Sequence, residues 1–207
     1  MKMKQDQQKI RELRQALGTF LTGVTVVTTV DQNGAPLGFT ANSFSSVSLD
    51  PPLVLVCMSK GSLNFDSYRH TRSFAINVLA EHQRGISTTF ATPSEDRFRD
   101  IGWRMGRTGS PVLEQVVSWF DCETHEIIDA GDHIILIGKV IEFEFNDSPP
   151  LGYLRGNYVH FALEQTAAAA LENPHQKTCV GAIIQHQEKL FLCAQDDHLE
   201  LPKAAHL

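Results

Sequence analysis

The chain has 207 residues, of which 42% are hydrophobic and 20% are charged, a balance typical of a globular protein with one main domain and an appended segment. Its formal net charge of −6 argues against a protein that binds nucleic acid through the phosphate backbone. No apolar run is long enough to span a membrane and the amino-terminal residues are polar and charged, so we expect a cytoplasmic protein.

The first third of the chain begins with a helix and continues in strands. Residues 6–20 are predicted to form an amphipathic helix, because apolar residues recur three and four positions apart. A β-branched run over 24–30 predicts a strand, and the Asn33-Gly34 pair that follows favours a tight hairpin. A second strand is expected over about 37–48, ending before a loop at Pro51 and Pro52.

The middle of the chain alternates strands and helices. The apolar run 53–58 predicts a buried strand, which is followed by a short helix over about 63–69. A strand over 74–79 and a helix over about 81–90 come next. Residues 92–110 are rich in Gly, Arg and Pro, and we interpret them as a long surface loop of the kind that carries function.

Two long strands dominate the remainder of the main domain. They are predicted over 116–128 and 133–145, joined by a hairpin turn at 129–132, and a last strand runs over 158–163. Strands outnumber helices, and most connections suit antiparallel pairing. The sequence therefore predicts a mainly β fold, an antiparallel barrel with peripheral helices.

Two short stretches, 38–46 and 57–62, combine small and hydroxyl-bearing residues next to predicted buried strands. A phosphate ester needs several N–H and O–H donors and often a cation, which Ser59, Lys60 and Ser62 could supply, with Gly61 letting backbone amides approach. The same letters also fit an ordinary turn with a solvated lysine and a strand with an exposed hydroxyl face. No Gly-x-Gly-x-x-Gly follows a predicted strand, and no metal site is predicted.

A series of short motifs resembles one protein family when the motifs are taken in order. The chain resembles the flavin reductase-like family of FMN-binding split barrels, the small component of two-component flavin monooxygenases. The motifs that carry the resemblance are 22–29, 38–54, 74–79, 131–133 and 155–158. The likeness covers about residues 10–165.

The resemblance implies a set of site residues. Residues matching positions that line the flavin ring are Thr40, Ala41, Asn42 and Ser43. Residues matching positions around the ribityl phosphate are Cys57, Met58, Ser59, Lys60 and Ser62. Further flavin-contacting positions correspond to Phe90, Ala91 and Arg97. His133 and Tyr158 match positions near the nicotinamide, and His133 is the candidate catalytic residue.

The function implied is an NAD(P)H-dependent flavin reductase that transfers hydride to FMN, or to FAD, and supplies reduced flavin to a partner monooxygenase. Hydride transfer needs the two rings stacked at close distance, so we expect positioning rather than a protein nucleophile. The co-substrate is NADH or NADPH, and the resembling family implies a homodimer. The alternative is a flavin- or haem-binding split-barrel protein without turnover, acting as a sensor or carrier.

We predict a flavin reductase-like domain over 1–165, a linker over 166–177 and a short β-containing tail over 178–207. Residues 178–203 resemble the opening strands of a Nudix hydrolase domain, whose catalytic Glu-rich box does not follow in this sequence. About 30 residues cannot bury a hydrolase core, so no hydrolase activity is assigned to the tail.

Overall fold

The computed structural model describes residues 2–93, 96–159, 184–186 and 189–191. Two units make up the chain, Met1–Phe161 and Ala162–Leu207. None of the helices among the described residues is long and apolar enough to cross a membrane.

The described residues of the first unit form twelve strands and three α-helices. The helices are α1 (Lys2–Leu17), α2 (Phe65–Arg69) and α3 (Arg84–Ala91), and a 3-10 turn at Glu81–Gln83 leads into α3. The strands are β1 (Thr22–Gly23), β2 (Thr25–Val30), β3 (Pro36–Ala41), β4 (Ser45–Leu49), β5 (Pro52–Ser59), β6 (Ser73–Val78), β7 (Trp103–Met105), β8 (Pro111–Leu113), β9 (Ser118–Ala130), β10 (His133–Phe145), β11 (Gly152–Leu154) and β12 (Asn157–Val159).

Seven of these strands form one antiparallel sheet in the order β3-β2-β6-β9-β10-β5-β4. Its two outermost strands, β3 and β4, are consecutive in the chain, and β3 also contacts β5. The sheet therefore curls toward closure, which covers backbone groups that a flat edge would expose. The prediction of a mainly β, antiparallel split-barrel fold with peripheral helices is confirmed.

Strand β2 separates two hydrophobic cores. Val26 belongs to one cluster with Phe90, Phe98 and Leu113, whereas Val27 belongs to another with Phe74 and Leu136. Successive side chains of a strand point to opposite faces, so a β-branched run that is buried on both sides serves both cores. This explains why residues 24–29 are all buried.

The β9–β10 hairpin contains two bulges. Pairing passes from Glu126 with Ile137 to Thr124 with Gly138, so His125 is an extra residue on β9. It passes again from Val140 with Cys122 to Glu142 with Asp121, so Ile141 is an extra residue on β10. Bulges bend and twist a strand locally, which helps a long hairpin wrap around a barrel.

Several predicted boundaries were wrong, each for a local reason. Helix α1 ends at Leu17 rather than 20, because the chain turns at Gly18. The single strand expected over 37–48 is two strands interrupted at 42–44. The 92–110 segment is not all surface loop, since β7 pairs with β8 and Phe98 is buried. The short strand β11 was not predicted; it pairs with β12 and β1.

In the second unit, Ile184–His186 and Lys189–Phe191 form an antiparallel pair of strands. The predicted linker over 166–177, the other tail residues and the end of the strand predicted over 158–163 lie outside the described residues.

Candidate functional site

The segment 40–43 leaves the end of β3 and crosses toward β5. Ala41 packs into the second core, and Asn42 is exposed. The Ser43 hydroxyl accepts a hydrogen bond from the Cys57 amide at 2.9 Å and donates to the Cys57 carbonyl at 3.2 Å. The Ser43 side chain thus takes the place of a backbone hydrogen-bonding partner for Cys57. This explains the break in the predicted strand and connects two of the candidate stretches.

The second candidate stretch lies at the end of β5. Residues 54, 56 and 58 face the core, so the Met58 side chain is buried and only its backbone is available to a ligand. Cys57 and Ser59 alternate with them and are half-buried, and Lys60 is exposed. The lysine and the hydroxyls of Ser59 and Ser62 are the polar side-chain groups that this turn offers.

The backbone amides of the same turn already have partners. The Lys60 amide donates to the Asp132 carbonyl at 2.9 Å, and the Ser62 amide donates to the Ser59 carbonyl at 3.1 Å. The Gly61 amide donates to the Ser59 hydroxyl at 3.2 Å. The expectation that Gly61 lets free amides converge on a phosphate is therefore not met in this conformation, and recognition falls to the side chains.

The tip of the β9–β10 hairpin lies beside this turn, because β5 pairs with β10 and His133 is opposite Ser59. The Lys60 ammonium is 2.6 Å from an Asp129 oxygen. The His133 Nδ1 atom is 2.7 Å from an Asp132 oxygen. The Lys60 hydrogen bond and charge hold the pKa of the Asp129 carboxyl below its usual value, and the His133 hydrogen bond and charge lower the pKa of Asp132.

A second group of predicted residues surrounds α3. The Thr40 hydroxyl donates to the Ser87 carbonyl at 2.7 Å, and the Ser87 hydroxyl is 2.8 Å from the Tyr158 hydroxyl. The Arg97 guanidinium donates to the Gly38 carbonyl at 2.7 Å, while its Nε atom is buried without a hydrogen-bond partner. Ser87, Arg97 and Tyr158 therefore hold β3, α3 and β12 together.

Phe90 and Ala91 differ within this group. The Phe90 ring is buried, packs edge-on against Phe98 and fills the space that a side chain at Gly38 would need. Its side chain is a core residue, and only its backbone can contact a ligand. Ala91, at the end of α3, is exposed.

The structure thus brings the predicted site residues together in two groups joined by the 40–43 segment. His133 lies with Lys60, Ser59 and Cys57, whereas Tyr158 lies with Thr40 and Ser87. Nothing in the described contacts joins His133 to Tyr158, the two residues expected near the nicotinamide.

Sequence reasoning missed three polar residues at the site. Asp129 contacts Lys60, and Asp132 contacts His133. Pairing of the strands predicted over 53–58 and 133–145 would place the hairpin tip beside Lys60, and this could have indicated both carboxylates. Ser87 is a lone serine in a short helix, and no sequence signal marks it.

Comparison with known proteins gives one consistent family. A model of the flavin reductase like domain matches residues 17–162. The chain is 50% identical over 192 residues to the "Probable flavin reductase" of Rhizobium meliloti (strain 1021), covering 93% of the chain and 61% of that protein. It is 48% identical to the reductase component of the flavin-dependent trigonelline monooxygenase of Acinetobacter baylyi (strain ATCC 33305 / BD413 / ADP1), covering 92% of the chain and 60% of that protein. The chain therefore spans about three fifths of the length of these two relatives.

A solved structure agrees with these sequence matches. The NADH:FAD oxidoreductase SgcE6 of Streptomyces globisporus C-1027, in complex with NAD and FAD fragments, is similar with a TM-score of 0.70 and 35% identity. The match covers 74% of this chain and 93% of that one.

Proposed function

The chain belongs to the flavin reductase-like domain family, and from this membership we propose that it is an NAD(P)H-dependent flavin reductase that transfers hydride to FMN, with FAD as a second flavin. The observation that carries the proposal is the meeting of Lys60, two serine hydroxyls and the Asp132–His133 pair at the ends of β5 and β10. The resemblance implies that Lys60 and the two serines lie at a flavin phosphate and that His133 lies near a nicotinamide, and Asp132 is the carboxylate hydrogen-bonded to His133.

The residues present fit a flavin nucleotide. Lys60 and the hydroxyls of Ser59 and Ser62 suit a phosphate. The exposed Asn42 amide carries both a donor and an acceptor, as the polar edge of a flavin ring requires. The unpartnered Arg97 Nε–H, buried beside Gly38, is a donor that an acceptor on a bound group would satisfy.

The bound flavin supplies the hydride-accepting chemistry. The protein's task is then orientation: Thr40 and Ser43 are fixed by hydrogen bonds to Ser87 and Cys57, so the segment between them is held at both ends. The Asp132 carboxylate holds the His133 ring, so that its Nε2 atom is available to a nicotinamide amide at the rim. No protein nucleophile is required.

We also propose a homodimer, a partner monooxygenase and a cytoplasmic location. Ile10, Leu13 and Leu17 on α1 and the following Phe20 are all more than half exposed, which supports coverage of this face by a second copy. A reductase component of a monooxygenase among the relatives supports a partner oxygenase. A cytoplasmic location fits the use of NAD(P)H.

The proposal is tested by titrating the purified protein with FMN and then adding NADH or NADPH without oxygen. We expect micromolar or tighter binding and loss of the oxidised-flavin absorbance much faster than with free FMN. Binding without faster reduction would favour the carrier or sensor, and a haem spectrum would favour the haem-binding alternative. Lack of any flavin binding would overturn the proposal.

A further inference from the structure

A groove of about 720 Å³ lies between the carboxyl-terminal part of α1 and the β11–β12 turn. Arg11, Arg14 and Arg155 line it, together with small and polar residues. All three arginines are exposed, and none of them forms an ion pair with a carboxylate in the part of the chain that the structure describes. In a chain with a net charge of −6, three uncompensated guanidinium groups make this groove a local positive site.

The walls of the groove are held by backbone contacts. The Gly18 amide donates to the Arg14 carbonyl at 2.9 Å, and the Arg155 amide donates to the Gly18 carbonyl at 2.8 Å. A side chain at Gly18 would approach the Arg155 Cα atom to 3.5 Å, so helix end and turn are closely apposed. Because the backbone makes these contacts, the guanidinium groups remain available to a ligand.

Arg155 occupies a position that its residue type disfavours. Leu154 pairs with Asn157, so Arg155 and Gly156 form a two-residue hairpin turn with φ angles of +49° and +84°. Such a turn prefers Asn, Asp or Gly at its first position, because other side chains are strained in the left-handed region. Arg155 is strained at this position, and an Asn, Asp or Gly would relieve the strain. Its presence there therefore motivates a functional explanation.

The hairpin that forms one wall of the groove also carries Tyr158, which matches a family position near the nicotinamide. Tyr153 pairs with Tyr158 across this hairpin, and Arg155 and Gly156 form its turn. A ligand with its nicotinamide near Tyr158 could therefore place an anionic portion against the arginines.

We propose that the Arg11–Arg14–Arg155 groove binds phosphate groups of the nicotinamide dinucleotide co-substrate, an inference that rests on the proposed reductase function. Guanidinium groups match phosphate oxygens through paired N–H donors, and three of them suit a ligand with more than one phosphate charge. The phosphates are either the pyrophosphate common to NADH and NADPH or the 2′-phosphate of NADPH.

The test uses the full chain with Arg155→Asn, Arg14→Gln and, as a matched control outside the groove, the exposed Arg107→Gln. Asparagine relieves the turn, so Arg155→Asn should fold with an unchanged or higher Tm. We expect each groove variant to raise KM for the dinucleotide about tenfold or more, the loss typical of one charge-assisted contact, and the control to leave KM unchanged. An increase for both NADH and NADPH identifies the pyrophosphate, and an increase for NADPH alone identifies the 2′-phosphate.

Two further measurements separate this inference from its alternatives. Reduction by 1-benzyl-1,4-dihydronicotinamide, a hydride donor without phosphate, should be the same in wild type and variants. Three outcomes would overturn the groove assignment. They are an equal loss of reduction rate with this donor, an unchanged KM for both dinucleotides, and weaker FMN binding in place of a raised KM. If the wild type reduces flavin with neither donor, the reductase proposal fails. In that case calorimetric titration with NADP⁺ still tests the groove. Weaker NADP⁺ binding by Arg155→Asn would support the groove assignment, and an unchanged affinity would contradict it.

Discussion

Lys60 already has a partner in the absence of ligand, since its ammonium lies 2.6 Å from Asp129. Both side chains are well exposed, so this ion pair is worth little and a phosphate can replace the carboxylate. The lowered pKa of Asp129 means that the carboxylate stays charged at neutral pH and is neutralised only in acid, below its usual titration range.

We expect Lys60→Ala to weaken FMN binding about ten- to a hundredfold, because a charge-assisted contact to the phosphate is lost. Riboflavin lacks the phosphate, so its affinity should barely change. Fluorescence titration with both ligands measures the difference. Asp129→Asn is the matched control, since it frees the lysine and should maintain or increase FMN affinity. Equal losses for FMN and riboflavin in Lys60→Ala would place the lysine outside a phosphate site.

His133→Ala should slow flavin reduction while leaving FMN affinity nearly intact. The ring is held by Asp132 at the rim, and losing it should lower kcat/KM for NAD(P)H roughly tenfold, or about 1.4 kcal/mol of transition-state stabilisation. Asp132→Asn should give a smaller loss, because the ring remains but its orientation is less restricted. Steady-state reduction with FMN affinity measured in parallel checks this, and an unchanged kcat/KM would remove His133 from the site.

At the scale of residues, the sequence could identify hydroxyl-rich segments but not how their hydroxyls are used. Ser43 bonds to the backbone of Cys57, and Thr40 bonds to that of Ser87. Both partners are distant in sequence, so no local pattern could predict them. The alternation of β5 does indicate that Met58 faces the core while Cys57 faces the other way.

Among the elements, the loop that precedes β8 is attached to β9 through a buried carboxylate. Asp121 accepts hydrogen bonds from the Thr108 amide at 2.7 Å and from the Thr108 hydroxyl. A side chain at Gly106 would collide with the same carboxylate. The acidic group therefore holds a loop rather than serving the flavin site.

Asp121→Asn should lower the free energy of unfolding by about 1–3 kcal/mol, because an amide has only one acceptor oxygen and brings donors into a site that already contains donors. The expected fall in Tm is roughly 2–4 °C per kcal/mol, measured by thermal unfolding. Asp100→Asn, at an exposed position, is the control and should leave Tm within error. A Tm equal to that of the control would show that the carboxylate charge is unnecessary for this contact.

Long, strongly patterned elements were predicted well, and irregular ones were not. The strand at 133–145 agrees with β10, because this stretch is rich in β-branched and aromatic residues. The break at 42–44 and the short strand β7 depend on pairing with distant residues rather than on propensity.

At the scale of the whole molecule, the exposed face of α1 decides the expected assembly. Leu13 and Leu17 are 58% and 66% exposed, and Phe20 is 76% exposed. We expect light scattering to give about twice the chain mass of 23.0 kDa. Leu13→Glu combined with Leu17→Glu should shift the protein toward a monomer, whereas Lys9→Glu on the same helix should not. A wild-type monomer at working concentration would contradict the homodimer.

The two bulges of the β9–β10 hairpin have a consequence for chain length. Removing one residue from a regular strand reverses the inside–outside phase of every residue beyond it. Removing His125 or Ile141 would only erase a bulge, because the pairs on either side are already in phase. Evolutionary gaps of a single residue within this hairpin should therefore fall at these two positions in sequence alignments with relatives. Such relatives would carry a straighter, less twisted hairpin there.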